Sequence, residues 1–290
     1  MTTIPEEQTP HAAAGARDRR LTVLEPPRGW MLPQLGELWR HRELLVFLAW
    51  RDIKVRYTQT AVGVAWVVLQ PILTVLVFTI LFGRLAKLPS GSAPYALLVF
   101  SGILPWQLFA NSLTQSSMSL VGNQSLVTKV YVPRLLLPIA STVSLLVDFC
   151  IGFVVLLLLM AIYGFAPPLA ILALPAIVAL AVLAALSIGI WLAAINVRYR
   201  DVQYAIPFLM QIWFFITPVA YSAQLIPHRF RLLYGLNPMA GVVEGFRWAL
   251  LGQAPSVGPL LALSVGLVVV LLLGGVAYFR RVEETLADVI

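Results

Sequence analysis

The chain of 290 residues is 60% hydrophobic and only 11% charged, and its mean hydropathy is +0.87. A soluble domain is about 25% charged, so this composition excludes an ordinary soluble protein and predicts a membrane protein. The net charge of +7 fits arginine-rich cytoplasmic loops better than a nucleic-acid partner, and the single cysteine, Cys150, excludes a disulfide framework and a thiolate metal site.

The sequence divides into three parts by composition. Residues 1–35 are polar and lack the apolar core of a signal peptide, so we predict a flexible cytoplasmic tail. Residues 36–60 are mixed in character and are predicted to form an amphipathic helix. Residues 61–290 are predicted to form a transmembrane domain that ends in a cytoplasmic tail.

The amphipathic segment carries four charges between Arg51 and Arg56, directly before a long uncharged stretch. At about 100° per residue, one narrow helical face holds Val46, Trp50, Ile53 and Tyr57. This pattern predicts a helix that lies in the cytoplasmic interface of the membrane, with its aromatic residues at headgroup level. Such a helix is either a lipid-surface anchor or a docking surface for a cytoplasmic partner.

Six later stretches are long and apolar enough to cross a bilayer, which needs about 20 residues per helix. We predict spans at 61–82, 94–113, 138–163, 169–195, 202–221 and 257–279. Between the last two lies an outer segment, 222–256, which is too polar to span the membrane yet rich in aromatic residues and glycine. We predict that it forms two short re-entrant helices divided at Asn237.

The lysine and arginine residues predict the orientation of these spans. With the N-terminus inside, 15 of the 20 lysines and arginines fall in cytoplasmic pieces. Because cytoplasmic loops are enriched in positive charge, both termini are predicted to face the cytoplasm.

The sequence offers no sign of catalytic machinery. None of its three lysines, Lys54, Lys87 and Lys129, lies in a phosphate-binding GxxxxGK[ST] motif. The histidines are scattered without metal-ligand spacing, and Glu244 is the only acidic residue in the predicted outer segments. We therefore expect no enzyme activity, no metal site and no cofactor in this chain.

Asp148 is the one ionisable residue deep inside a predicted span, where burial of a charge costs about 2.5–3.5 kcal/mol. It shares a helical face with Ser141 and Ser144, and this face is expected to turn toward the helix bundle. Interhelical hydrogen bonding is the favoured interpretation, and a proton or substrate site is the alternative.

Polar and aromatic side chains also form stripes along three predicted spans. Aromatic faces stack on sugar rings and amides bond hydroxyl groups, so these stripes indicate either a path for a sugar polymer or packing between helices. The candidate path residues are Trp66 and Gln70 in the first span, Gln107 and Asn111 in the second, and Tyr204, Phe208, Gln211 and Phe215 in the fifth.

Five blocks resemble, in order, the permease subunits of bacterial polysaccharide and teichoic-acid ABC exporters of the type 2 class. The blocks are WRDIKVRYTQTAVGVAW, VTKVYVPRLLLP, NVRYRDV, NPMAGVVEGFRWALLG and YFRRVEETLADVI. The resemblance implies a homodimer in the bacterial inner membrane, paired with two copies of a separate ATP-binding subunit that carries ATP and Mg. It implies export of an undecaprenyl-pyrophosphate-linked glycan, such as an O-antigen, capsule, galactan or teichoic-acid-like polymer.

In that family the amphipathic segment and the first cytoplasmic loop contact the ATPase. Carried onto this sequence, the resemblance predicts ATPase contacts at Arg51, Lys54, Arg56, Lys129, Tyr131 and Arg134. Two other interpretations stay open: a type 2 permease for drugs or other lipids, and a membrane enzyme that acts on polyprenyl glycans.

Glu244 and Arg247 are spaced i,i+3 in the outer segment, so a helix places them on one side. We predict an ion pair that helps to hold an outer gate closed. The alternatives are an exposed rim contact without function and a contact between Arg247 and the pyrophosphate of a passing cargo.

Overall fold

The computed structural model describes residues 35–58, 63–87, 93–129, 133–221, 234–252 and 257–289. Within these ranges the chain forms helices and turns and no β-strand, which confirms the predicted all-helical fold. The helices are α1 (Leu35–Arg40), α2 (Arg42–Thr58), α3 (Gly63–Phe78), α4 (Tyr95–Gly122), α5 (Gln124–Lys129), α6 (Leu136–Ile162), α7 (Leu174–Arg198), α8 (Val202–Ile216), α9 (Pro238–Leu251) and α10 (Val257–Val289). A π-helical turn, Thr79–Leu85, continues α3, and a 3₁₀ turn, Leu169–Ala173, precedes α7.

Among the described residues, five helical segments are long and apolar enough to cross a membrane. They are Ala65–Leu85, Tyr95–Gly122, Leu136–Ile162, Leu169–Arg198 and Gly258–Val282. The predicted span at 202–221 contains α8, whose 15 residues fall short of this length. The helix stops at Ile216 because Thr217 adopts an extended conformation and Pro218 follows it. Five of the six predicted crossings therefore meet the length criterion.

Several helices extend beyond their predicted ends. The second span was predicted to end at residue 113, but α4 continues to Gly122 through a serine-rich stretch. The last span was predicted to end at residue 279, but α10 continues to Val289. Apolar composition marks where a helix contacts lipid, whereas helical structure continues through residues that leave the apolar layer.

Helix α4 lies at the centre of the fold and packs against α3, α6, α7, α8 and α9. Phe100, Phe109 and Leu113 are wholly buried within it. Its contact with α7 depends on small residues, since a Cβ added at Gly189 would lie only 2.5 Å from Ser116 Oγ. Small residues allow membrane helices to approach closely, and this contact fixes α4 against the rest of the bundle.

Helix α10 closes the bundle against α7 and α9. The Trp191 indole of α7 donates a hydrogen bond to the Leu271 carbonyl oxygen at 2.9 Å and stacks on Tyr278. On the other side, a Cβ added at Gly241 of α9 would lie 2.3 Å from Ser264 Oγ. These contacts hold α9, which carries the predicted gate residues, inside the helix bundle.

Helix α2 runs alongside the first half of α6. Leu48 near its start shares a hydrophobic cluster with Leu137 and Ala140, and Tyr57 near its end contacts Asp148. The face buried against the bundle therefore includes Leu48 rather than Val46 and Trp50, which are 64% and 66% exposed. The predicted face is thus divided, since Val46 and Trp50 are exposed whereas Tyr57 contacts Asp148 of α6. The predicted tail, 1–35, lies outside the described residues except for Leu35.

Candidate functional site

The predicted path residues lie on three helices: α3, α4 and α8. Trp66, Gln70, Asn111, Tyr204, Phe208, Gln211 and Phe215 are exposed, and Gln107 is half-buried. The exposed fraction is 57% for Trp66, 77% for Tyr204 and 64% for Phe208. The structure therefore turns these stripes away from the core of the chain.

Aromatic contacts join the three helices that carry the stripes. The Phe214 ring of α8 lies 5.8 Å from the Phe78 ring of α3 and 5.7 Å from the Trp106 ring of α4. The Phe109 and Trp213 rings pack edge to face at 5.2 Å between α4 and α8. The stripes consequently lie on adjacent helices.

One narrow strip on the surface of α4 is exposed, and it is polar. Over residues 95–120, all of which the structure describes, only Asn111 and Gln115 are exposed. Their i,i+4 spacing places the two amides on one face, and Gln107 continues this amide row one turn toward the N-terminal end of α4. An amide turned to lipid leaves donors and acceptors unsatisfied, so this row requires a polar neighbour or water.

The predicted ion pair in the outer segment forms and is buried. Arg247 Nη1 lies 3.1 Å from Glu244 Oε1, and the side chains are only 2% and 6% exposed. This burial excludes the rim-contact interpretation, which requires an exposed pair. Burial also lowers the pKa of Arg247, and the neighbouring Glu244 carboxylate opposes that shift.

Arg247 also binds backbone carbonyl groups of two other elements. Its Nη2 donates to the Val219 oxygen at 2.7 Å, its Nη1 to the Tyr221 oxygen at 2.9 Å, and its Nε to the Leu98 oxygen at 3.3 Å. The guanidinium thereby joins α9 to α4 and to the chain that follows α8. A glutamate at position 247 has no donor for these oxygens, so exchange of the two charges cannot restore the arrangement.

Asn237 makes a second connection between α8 and α9 that the sequence analysis did not identify. Its side-chain oxygen caps α9 by accepting from the Met239 amide and also accepts from the Trp213 indole at 2.9 Å. Its amide nitrogen donates to Thr217 Oγ1 at 2.9 Å. The Asn-Pro dipeptide, a helix cap followed by proline at the first helical position, is the local signal for the cap. The contacts with α8 have no local signal.

Asp148 binds α2. Arg56 Nη1 lies 2.6 Å from Asp148 Oδ2, and the Tyr57 hydroxyl donates to Oδ1. Burial, followed by the hydrogen bond to the carboxylate, raises the pKa of Tyr57, so this hydroxyl remains a donor at physiological pH. The favoured interpretation of Asp148 is confirmed as an interhelical contact. Ser141 and Ser144 instead donate to carbonyl oxygens of their own helix.

The predicted ATPase contacts have different surroundings in the structure. Arg51 forms an ion pair with Asp52 and also donates to Asn123 Oδ1 at 2.8 Å. Arg56 pairs with Asp148, whereas Lys54 is exposed. The remaining three residues belong to the loop predicted to be the first cytoplasmic one. Lys129 ends α5, Arg134 is half-buried just before α6, and Tyr131 lies outside the described residues.

Comparison with known proteins identifies the family. Residues 43–251 match the ABC-2 type transporter family. The chain is 31% identical over 257 residues to the O-antigen export system permease protein RfbA of Myxococcus xanthus, covering 88% of this chain and 98% of that protein. It is 26% identical over 206 residues to the RfbA permease of Klebsiella pneumoniae, covering 71% and 79%. It is 24% identical over 241 residues to the polysialic acid transport protein KpsM of Escherichia coli, covering 81% and 92%. Since the family match spans well over half of the sequence, the chain belongs to the ABC-2 type transporter family.

Proposed function

We propose that this chain is the transmembrane subunit of an ATP-driven exporter for an undecaprenyl-pyrophosphate-linked glycan. The observation that carries the proposal is the exposed row of amides on α4 beside the exposed aromatic residues of α8. Amides bond sugar hydroxyl groups and aromatic faces stack on sugar rings, so this surface suits a polymer of sugars. The relatives named for O-antigen export and polysialic acid transport support the same cargo class.

The amide row supports a dimer. On a single chain, Asn111 and Gln115 of the α4 row and Gln211 of α8 are exposed on the surface of the helix bundle. Hydrocarbon at this surface would leave their amides without hydrogen-bond partners. A second copy placed over α3, α4 and α8 would enclose these amides and form a polar path between the two chains. We therefore propose a homodimer in the bacterial inner membrane, with the path at or beside its interface.

We further propose six crossings per chain, with both termini in the cytoplasm. Helix α8 is about 22 Å long at 1.5 Å per residue, and the non-helical residues after Ile216 would complete its passage. Helices α1 and α2 would lie at the cytoplasmic membrane surface with their exposed tryptophan residues, Trp39 of α1 and Trp50 of α2, at headgroup level. Helix α9 would be the second of the two re-entrant helices. The first was predicted before Asn237, in a stretch that lies mostly outside the described residues.

Energy would come from two copies of a separate ATP-binding subunit that carries ATP and Mg. Lys54, on the exposed side of α2, and the first cytoplasmic loop with Lys129, Tyr131 and Arg134 would form the docking surface. Arg51 and Arg56 would hold α2 in position for docking, because Arg56 pairs with Asp148 of α6 and Arg51, paired with Asp52, donates to Asn123. Charge reversal at Lys54 should lower copurification with the ATPase and uncouple hydrolysis from export. Unchanged copurification would remove Lys54 from the docking surface.

The outer end of the path would be gated by α9. Arg247 fixes α9 to α4 and to the chain after α8, so its pair with Glu244 would hold the closed position. Glu244→Gln keeps an acceptor for Arg247 but weakens the pair, and ion leakage should rise while ATPase assembly is retained. Unchanged leakage would make α9 a fixed wall rather than a gate.

Export itself tests the proposed function. In cells that carry the transporter and its ATPase, Tyr204→Ala and Phe208→Ala should lower surface glycan about tenfold or more, because each removes an aromatic face from the path. Tyr163→Ala is the matched control, since Tyr163 is also exposed but lies at the end of α6 away from the stripes. Export at the control level in both path variants would refute the path. Transport of apolar compounds without glycan export would favour a drug or lipid permease.

A further inference from the structure

A cleft of about 480 Å³ lies between α2, α4 and α6, at the cytoplasmic end of the amide row. Its lining includes Arg51, Asp52, Arg56, Gln115, Asn123 and Ser141. Gln115 belongs both to this cleft and to the exposed face of α4. The cleft is therefore continuous with the surface proposed to carry the glycan.

Two guanidinium groups line the cleft, and each is oriented by a carboxylate. Arg51 donates from Nε and Nη2 to Asp52 Oδ1, and Nη2 also donates to Asn123 Oδ1. This arrangement leaves Arg51 Nη1 without a partner among the described residues. Arg56 is held by Asp148 of α6, which bonds one of its terminal nitrogens. Both arginines are thus fixed in direction, and Arg51 keeps one terminal nitrogen that points to no protein acceptor in the described part of the chain.

Each arginine of the cleft forms an ion pair, so the charges cancel when no ligand is bound. Arg51 pairs with Asp52, and Arg56 pairs with Asp148. Two uncompensated guanidinium groups beside the hydrocarbon would be costly, so the carboxylates keep the helices stable before a ligand arrives. An anion that enters the cleft would meet donors already in place, with little loss of side-chain entropy.

We propose that this cleft binds the diphosphate group of the lipid-linked substrate as it enters from the cytoplasmic leaflet. Guanidinium groups donate paired hydrogen bonds to phosphate oxygens, and the side-chain amides of Gln115 and Asn123 supply further donors. The position beside the amide row would direct the first sugars onto α4. This inference rests on the proposed function, because it names the substrate group that the cytoplasmic end of the path receives.

The cleft also provides a more suitable anion site than Arg247, which the sequence analysis considered for cargo pyrophosphate. Arg247 is 2% exposed and its three donor nitrogens are engaged with protein oxygens. A passing headgroup could reach it only after several hydrogen bonds had broken. Arg51 and Arg56 retain 35% and 24% side-chain exposure.

Binding of undecaprenyl diphosphate to the intact transporter, permease with its ATPase in phosphatidylcholine nanodiscs, tests the cleft. Arg51→Gln should weaken binding about tenfold, since it removes a charge-assisted contact. Arg56→Gln leaves Asp148 unpaired and endangers folding, so Arg56→Gln with Asp148→Asn removes both charges together and should weaken binding similarly. Arg42→Gln is the matched control, because Arg42 is an exposed arginine of the same helix outside the cleft, and it should change binding less than twofold.

Two comparisons identify the ligand group. Undecaprenol, which lacks phosphate, should bind equally to wild type and to the cleft variants. Inorganic pyrophosphate should bind far more weakly than the lipid, and equal affinity would assign the cleft to a soluble anion and overturn the lipid assignment. Equal binding of undecaprenyl diphosphate by wild type and both cleft variants would refute the site while leaving a successful export test intact. Failure of the export test with cleft-dependent binding preserved would refute the proposed function and keep the anion site.

Discussion

Replacement of Arg247 by methionine is the most direct test of the buried connection between α9 and its neighbours. The change keeps a long side chain but removes the hydrogen bonds to the carbonyl oxygens of Leu98, Val219 and Tyr221. It also leaves the carboxylate of Glu244 buried beside an apolar group. Loss of one partner of a buried ion pair costs about 3–5 kcal/mol. The Val219 and Tyr221 carbonyls each add about 1 kcal/mol unless water reaches them, whereas the Leu98 oxygen keeps the Ser101 hydroxyl as a donor.

The expected loss is therefore on the order of 6 kcal/mol, a large part of the stability of a typical domain. In detergent-purified protein this should lower the Tm by roughly 15 °C. Addition of Glu244→Gln to Arg247→Met should recover part of the loss, because the unpaired charge disappears while the carbonyl groups stay unsatisfied. Arg200→Met is the matched control, since Arg200 is exposed after α7. A Tm for Arg247→Met equal to that of the control would refute the argument.

Two further predictions concern packing and topology. Gly241→Ala should destabilise the contact between α9 and α10, because the added Cβ would lie 2.3 Å from Ser264 Oγ and 2.8 Å from the Leu260 carbonyl oxygen. Gly266→Ala, the control, should be neutral or slightly stabilising, because nothing lies within 4 Å of its added Cβ. Equal Tm values for the two alanine variants would contradict the close packing. In a background without Cys150, Leu169→Cys should react with an impermeant maleimide added outside intact cells, and Arg200→Cys should react only after the membrane is opened; the reverse pattern would invert the topology.

Local sequence signals predicted much of the helical framework. Apolar stretches of sufficient length located five segments, and the i,i+3 spacing of Glu244 and Arg247 correctly predicted their contact within one helix. The length of α8 was harder to predict, because Thr217 and Pro218 are uncharged and are followed by apolar residues, so they do not interrupt the hydropathy pattern although they end the helix through backbone geometry. Composition reports the environment of a segment better than its hydrogen bonding.

Contacts between distant residues could not be predicted in this way. The ion pair between Arg56 and Asp148 joins residues 92 positions apart, and no local sequence pattern at either residue predicts which residue it pairs with. The backbone oxygens bound by Arg247 have no side-chain signature at all. Such contacts depend on how helices pack, which a single sequence expresses only through the small residues that permit close approach.

The attachment point of α2 on α6 has a mechanical consequence. Asp148 lies twelve residues beyond Leu136, about 18 Å along a helix of 27 residues. Leu48 packs near the start of α6, and Arg56 and Tyr57 bind near its middle, so α2 is attached along the first half of that helix. A displacement of α2 would therefore move this half of α6 as one body, and the second half would follow because the helix is continuous.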